Sequence, residues 1–185
     1  MRCLGLVFLL LMFCSGANAQ KTFNRKDFDK LKQLTATWLV QSNTDLPIYE
    51  DWQIVNDTLL KGIWYRISED TTYLPEAGMT LLYSNNKITI NCAYPGKDGQ
   101  AGTILTFSLN NIEQGVYYFE NTADTLSIGA KKELKATFLS SIVYDCSKKD
   151  RITAQRMYIV PGKGLSTVRY VFKKDAIKKS THFKN

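Results

Sequence analysis

The amino-acid sequence of 185 residues predicts an all-β fold, an antiparallel meander β-barrel of about eight to ten strands with a short N-terminal helix. Three observations carry that prediction. Short alternating or apolar runs recur at roughly 8–12-residue spacing, bounded by Asn-, Gly- and Pro-bearing turns. Nearly all the links between them are too short for the crossover that parallel neighbours require. No long helical segment interrupts the series, and aromatic residues make up 12% of the chain, a supply that suits sheets better than helical bundles.

Residues 1–19 read as a signal peptide rather than as part of the fold. Arg2 supplies a positive start, an apolar run follows from Leu4 to Phe13, and Ala17-Asn18-Ala19 gives the small-x-small pattern of a cleavage site. Cleavage near Ala19 would begin the mature chain at Gln20 and send it to the periplasm or the extracellular space. Cys14 raises a lipid anchor, but Met12 and Phe13 stand where small residues would precede a lipidated cysteine. The run is shorter than the roughly 20 residues of a spanning helix, so no transmembrane segment is expected. Residues 20–175 are expected to form a single barrel domain and 176–185 a basic tail.

Asn24 is a helix N-cap residue with Asp27 three positions on, and Phe28, Leu31 and Leu34 recur at helical spacing. A short amphipathic helix near 25–33 follows, able to plug the end of a barrel. Strands are expected at 37–41, 48–55, 60–68, 79–83, 87–94, 104–109, 115–121, 125–129, 133–140, 156–160 and 167–173. Asn85-Asn86 marks a hairpin turn, because asparagine tolerates the positive φ such turns need. The segments 95–99 and 161–164 are loops rich in proline and glycine.

Charge is unevenly spread. Residues 20–144 hold 12 Lys/Arg against 14 Asp/Glu, or −2, whereas residues 145–185 hold 11 against 3, or +8. The basic end can make weak contact with anionic surfaces, and a solvated tail is the plainer reading. With export indicated, nucleic acid is not an expected partner. Cys92 and Cys146 are the mature cysteines. They form one disulfide or remain separate thiols, and Cys92 shares an apolar face with Ile88 and Ile90 as a buried thiol would.

No enzyme signature is present. The single histidine, His182, lies in the tail, which leaves no histidine for a triad or zinc site in the barrel. No metal-ligand spacing, phosphate-cradling loop or cofactor motif is found, so the expected cofactor and metal complement is none. Carboxylates remain. In Ile48-Tyr49-Glu50-Asp51-Trp52-Gln53-Ile54, alternation sets Glu50 on the apolar face of Ile48, Trp52 and Ile54. Glu120 sits beside Tyr118 on another strand. The two could act as general acid and base, orient a polar group of a ligand, or each pair with an arginine, Arg66 being the partner expected from its place on the Trp64 face.

The ordered set Leu34-Thr35-Ala36-Thr37-Trp38, Tyr49-Glu50-Asp51-Trp52, Leu60-Lys61-Gly62 and Phe119-Glu120-Asn121 followed by Asp124 resembles a lipocalin-like family of secreted bacterial proteins, within the calycin superfamily of β-barrels. The resemblance spans roughly Phe28 to Ser141. Two departures stand out. Ala36 replaces the glycine of the first-strand Gly-x-Trp, and Ala123-Asp124-Thr125-Leu126 lacks the histidine of the family's His-Asp-Phe-Pro segment. The resemblance implies a barrel of lipocalin type in which a basic last-strand residue, here Arg169, packs over Trp38. The function expected from these residues is that of a monomer binding a small, mainly apolar ligand in the barrel mouth. Trp52, Trp64 and Tyr118 would give contact area, and Glu50, Arg66 and Glu120 would fix orientation. The alternatives are an interaction module with a filled barrel, acting through its surface or tail, and a hydrolase using Glu50 and Glu120.

Overall fold

The computed structural model describes residues 21–41, 47–96, 102–122, 137–148 and 151–174. Among them, ten antiparallel strands close into one barrel: β1 (Thr37–Gln41), β2 (Ile48–Asn56), β3 (Leu59–Ile67), β4 (Tyr73–Ser84), β5 (Lys87–Tyr94), β6 (Thr103–Glu113), β7 (Val116–Asn121), β8 (Phe138–Lys148), β9 (Arg151–Val160) and β10 (Gly164–Lys174). Each strand pairs with the next in sequence, and β1 closes against β10 with Trp38 opposite Lys174 and Val40 opposite Phe172. The expected meander barrel with its short helix is the observed one. Closure leaves no unpaired sheet edge, which a long β-chain would otherwise expose.

Some boundaries differ from the sequence reading. β4 begins at Tyr73 rather than at 79, because Pro75 and Gly78 hide the alternation while a bulge opposite Trp64 and Tyr65 accommodates the proline. β8 runs on through Ile142, Tyr144 and Cys146 beyond the expected end at 140, and β9 starts at Arg151 rather than 156. There, apolar and polar residues occupy both faces, so period two is obscured. The strand expected at 125–129, the signal segment and the tail lie outside the described residues. No helix among the described residues is long and apolar enough to cross a membrane.

The helix α1 (Arg25–Leu31) continues into a 3-10 turn at Lys32–Leu34. Its start is a reciprocal capping box: the Asp27 N–H donates to the Asn24 side chain at 3.2 Å, and the Asn24 N–H donates to the Asp27 carboxylate at 3.0 Å. Phe28 and Leu31 are fully buried, each burial contributing about 1.5–3 kcal/mol. The helix seats under the end of the barrel that carries the β2–β3 and β4–β5 turns. Arg25 meets Asp57 at 3.3 Å, the Phe23 N–H donates to the Asn86 carbonyl at 2.9 Å, and the rings of Phe28 and Tyr83 lie 6.1 Å apart. Asn85 and Asn86 take φ of 51° and 57°, the pair of positive angles that a tight hairpin turn demands. The Trp38 indole N–H donates to the Leu34 carbonyl at 2.6 Å and ties the turn to β1.

The half of the interior above this plug is densely filled. A side-chain carbon added at Gly62 would lie 2.7 Å from the Trp52 indole, so the ring rests directly on the β3 backbone. Replacing the cap by Asn24→Ala removes the side-chain acceptor of the Asp27 N–H and leaves the backbone half of the box, and urea unfolding is expected to show a loss of about 1 kcal/mol with an unchanged m-value.

Candidate functional site

Strand alternation on β2 sends Ile48, Glu50 and Trp52 inward, all three buried, whereas Ile54 is exposed at the helix end. Glu50 is 1% exposed and so needs partners inside the barrel. It has three. The Trp52 indole N–H donates to Oε1 at 2.7 Å, the Tyr144 hydroxyl donates to the same oxygen at 2.8 Å, and Arg156 Nη2 approaches Oε2 at 3.4 Å. β8 and β9 bring these groups into place, since Tyr144 stands opposite Ala154 and Ile142 opposite Arg156. A buried ion pair with two neutral donors therefore crosses the middle of the barrel.

Arg156, 2% exposed, is less well supplied than its partner. Its guanidinium carbon lies 3.5 Å from the centroid of the Trp64 ring and 5.4 Å from that of Tyr170. Burial lowers the tendency of the guanidinium to stay charged, but Glu50 and the surrounding tyrosines outweigh it, and the net effect holds the proton more firmly than usual. Stacking satisfies the face of the cation, not the N–H bonds in its plane. Arg156 Nε and Nη1, and the Nε1 of Trp64 beneath them, are buried without a hydrogen-bond partner.

Above this layer the inner face carries Tyr94 on β5, Leu105 on β6 and Tyr158 on β9, all only partly buried. Burial pushes the hydroxyls of Tyr94 and Tyr170 up to about 12. Tyr117, near the helix end, is likewise raised to about 12, and Tyr144 well above its ordinary value. The thiols of Cys92 and Cys146 are both buried and free, and burial raises each to about 12. The disulfide weighed from sequence is not formed, and neither sulfur is an available nucleophile.

The structure assembles only part of the residue set expected from sequence. Glu50, Trp52 and Trp64 meet in the interior. Arg66 is not the partner of Glu50; it pairs at 2.6 Å with Glu76, which the β4 bulge sets across from it at the rim. Tyr118 and Glu120 lie on the outer face, since Tyr117, Phe119 and Asn121 are the buried positions of β7. Glu50 and Glu120 thus stand on opposite sides of the wall and cannot share a substrate as acid and base. Arg169 is exposed on the outer face of β10 near Asp145, Lys148 and Arg151, away from the buried Trp38. The cation over a tryptophan is Arg156 over Trp64 instead. Sequence reading missed Arg156 and Tyr144, whose only signal was a polar residue at an inward position of an apolar strand. Among the described residues no cluster of three or more His, Cys, Asp and Glu side chains could hold a metal.

A second feature lies outside the wall. The missing side chain of Gly78 leaves a mainly apolar groove of about 470 Å³ between Ile63, Ala93 and Ile104, the last of these 69% exposed.

No protein-family model matches the chain, and no curated protein matches it. Among solved structures it is similar to the crystal structure of Rv2717c from M. tuberculosis, at 12% sequence identity and a TM-score of 0.47, over 80% of this chain and 96% of that one.

Removing one member of the central pair leaves a buried charge alone. Arg156→Met is expected to cost about 3–5 kcal/mol in urea unfolding, whereas Glu50→Gln with Arg156→Met should cost clearly less, because the amide oxygen still accepts from Trp52 and Tyr144. Stability should also fall at high pH. The unfolded chain loses thiol and phenol protons from about pH 9 upward, while the folded chain keeps them to about 12, so the folded state holds more protons across that window. The melting temperature is therefore expected to decline between about pH 9 and 12 through these groups and to be insensitive to them below, as thermal melts across that pH series would show.

Proposed function

We propose that this chain is an exported, monomeric barrel that binds one small, mainly apolar ligand through the mouth opposite the helix, without catalysing a reaction. The observation that carries the reading is the gradient of exposure along the inner face of β10. Phe172 is 2% exposed, Tyr170 9% and Val168 39%, so exposure rises along the strand up to Val168, the residue opposite Arg156. The helix end is plugged and filled, which leaves the mouth as the place of entry. Its lining of Tyr94, Leu105, Tyr158 and Val168 supplies apolar area with a few polar groups, the usual division in a ligand site.

Export rests on the charged start, the apolar run and Ala17-Asn18-Ala19. The motif order that resembles the secreted lipocalin-like family supports the same reading. A binding rather than catalytic role is supported by the opposed faces of Glu50 and Glu120 and by the placing of His182 in the tail sequence. The apolar outer groove at Gly78 favours a second reading, an interaction module that works through its surface.

Titration with a panel of lipophiles is expected to quench tryptophan fluorescence saturably at one site per chain, because Trp64 lies beneath the mouth. Native mass spectrometry of protein from its own host is expected to retain a small ligand. A flat titration together with ligand-free protein would leave the surface reading in its place.

A further inference from the structure

We propose that the ligand's polar group is an uncharged oxygen acceptor, the carbonyl of a ketone, ester or amide, received by the N–H bonds of Arg156 and Trp64. This deepens the reading of the barrel as a ligand binder and rests on it.

The orphaned groups of this layer are all donors. Arg156 contributes Nε–H and both Nη1–H bonds, and Trp64 contributes Nε1–H, in side chains stacked at 3.5 Å. Each is buried, and a buried N–H without a partner costs the full loss of its hydration. The acceptors of the layer are already engaged: Oε1 of Glu50 takes Trp52 and Tyr144, and Oε2 takes Arg156 Nη2. A group entering here therefore meets donors and has to bring the lone pairs.

Access runs along β10. Val168 stands directly opposite Arg156 in the β9–β10 register and is 39% exposed, so the arginine lies beside the point where the interior meets water. Tyr158 on β9 and Tyr170 on β10 flank the approach.

Charge decides between oxygen types. Glu50 already neutralises Arg156, and a ligand carboxylate would add a second negative group to the same dry layer while giving up its own hydration. A carbonyl gains a hydrogen bond to a charged donor without either penalty. Its alkyl body would lie against Tyr94, Leu105 and Val168 at the mouth.

Three probes of equal chain length separate the cases: octane, 2-octanone and octanoate, each titrated at pH 8 by tryptophan fluorescence and calorimetry. The ketone is expected to bind about tenfold more tightly than either of the others. In Glu50→Gln with Arg156→Met, which keeps only the Trp64 donor, most of that advantage over octane is expected to be lost while octane binding persists. Should the double variant not fold, the infrared carbonyl stretch of 2-octanone bound to the native protein gives the answer, since a bonded carbonyl absorbs at lower frequency than the same ketone in hexane. Octanoate binding tightest would make this an anion site and overturn the proposal. Equal binding of octane and 2-octanone, or an unshifted carbonyl, would also overturn it while leaving ligand binding intact. Failure of all three probes to bind would remove both readings together.

Discussion

The structure depends on keeping a charged pair dry. Glu50 and Arg156 sit in the middle of a closed barrel, 1% and 2% exposed, although they stand 106 positions apart in the chain. Isolated charges there would be prohibitive, so the barrel must supply the compensation that water gives outside. It does so unequally. Trp52 and Tyr144 both donate to Glu50, whereas Arg156 receives one long contact and two aromatic faces. The carboxylate is satisfied; the cation keeps donors in reserve.

That inequality divides the interior. On the helix side, Phe28, Leu31 and Leu34 enter beneath aromatic and aliphatic side chains, and the Trp52 ring lies flat on Gly62. Close packing of this kind tolerates neither extra atoms nor water. On the other side the tyrosines and Val168 lead outward with rising exposure. A barrel of this size can hold side chains alone or side chains with one small ligand. Here the filled half anchors the polar layer, and beyond that layer the inner face carries the partly buried Tyr94, Leu105 and Tyr158.

Local chemistry in the sequence was enough to read much of this. The period-two pattern at Ile48, Glu50 and Trp52 set the carboxylate inside, Asn24 and Asp27 marked the helix start, and Asn85-Asn86 marked a turn. Those features depend on neighbours within a few residues. The partner of Glu50 does not. Arg156 reaches it only because β8, β9 and β10 close the barrel against β1, and nothing near Arg156 in sequence records that closure. Arg66 had the right face but was claimed by Glu76, through a bulge whose extra residue has no sequence signature beyond Pro75. Glu120 was misplaced for a simpler reason. With Tyr117, Tyr118 and Phe119 all aromatic, alternation on β7 gives no direction, and the pairing with β6 and β8 decides which face is inside.

Arg156 is held inside the barrel, stacked on Trp64 and bound to Glu50, with Nε and Nη1 lacking a hydrogen-bond partner among the described residues. Nitrogen-detected NMR of the arginine side chains tests it most directly, the resonance being assigned by its loss in the variant lacking both Glu50 and Arg156. One guanidinium is expected to show slow exchange, separate Nη signals and a strong upfield ring-current shift, and its Nε–H to move downfield when a carbonyl ligand is added. Arginine signals that all exchange rapidly with water and average to a single Nη position would contradict it.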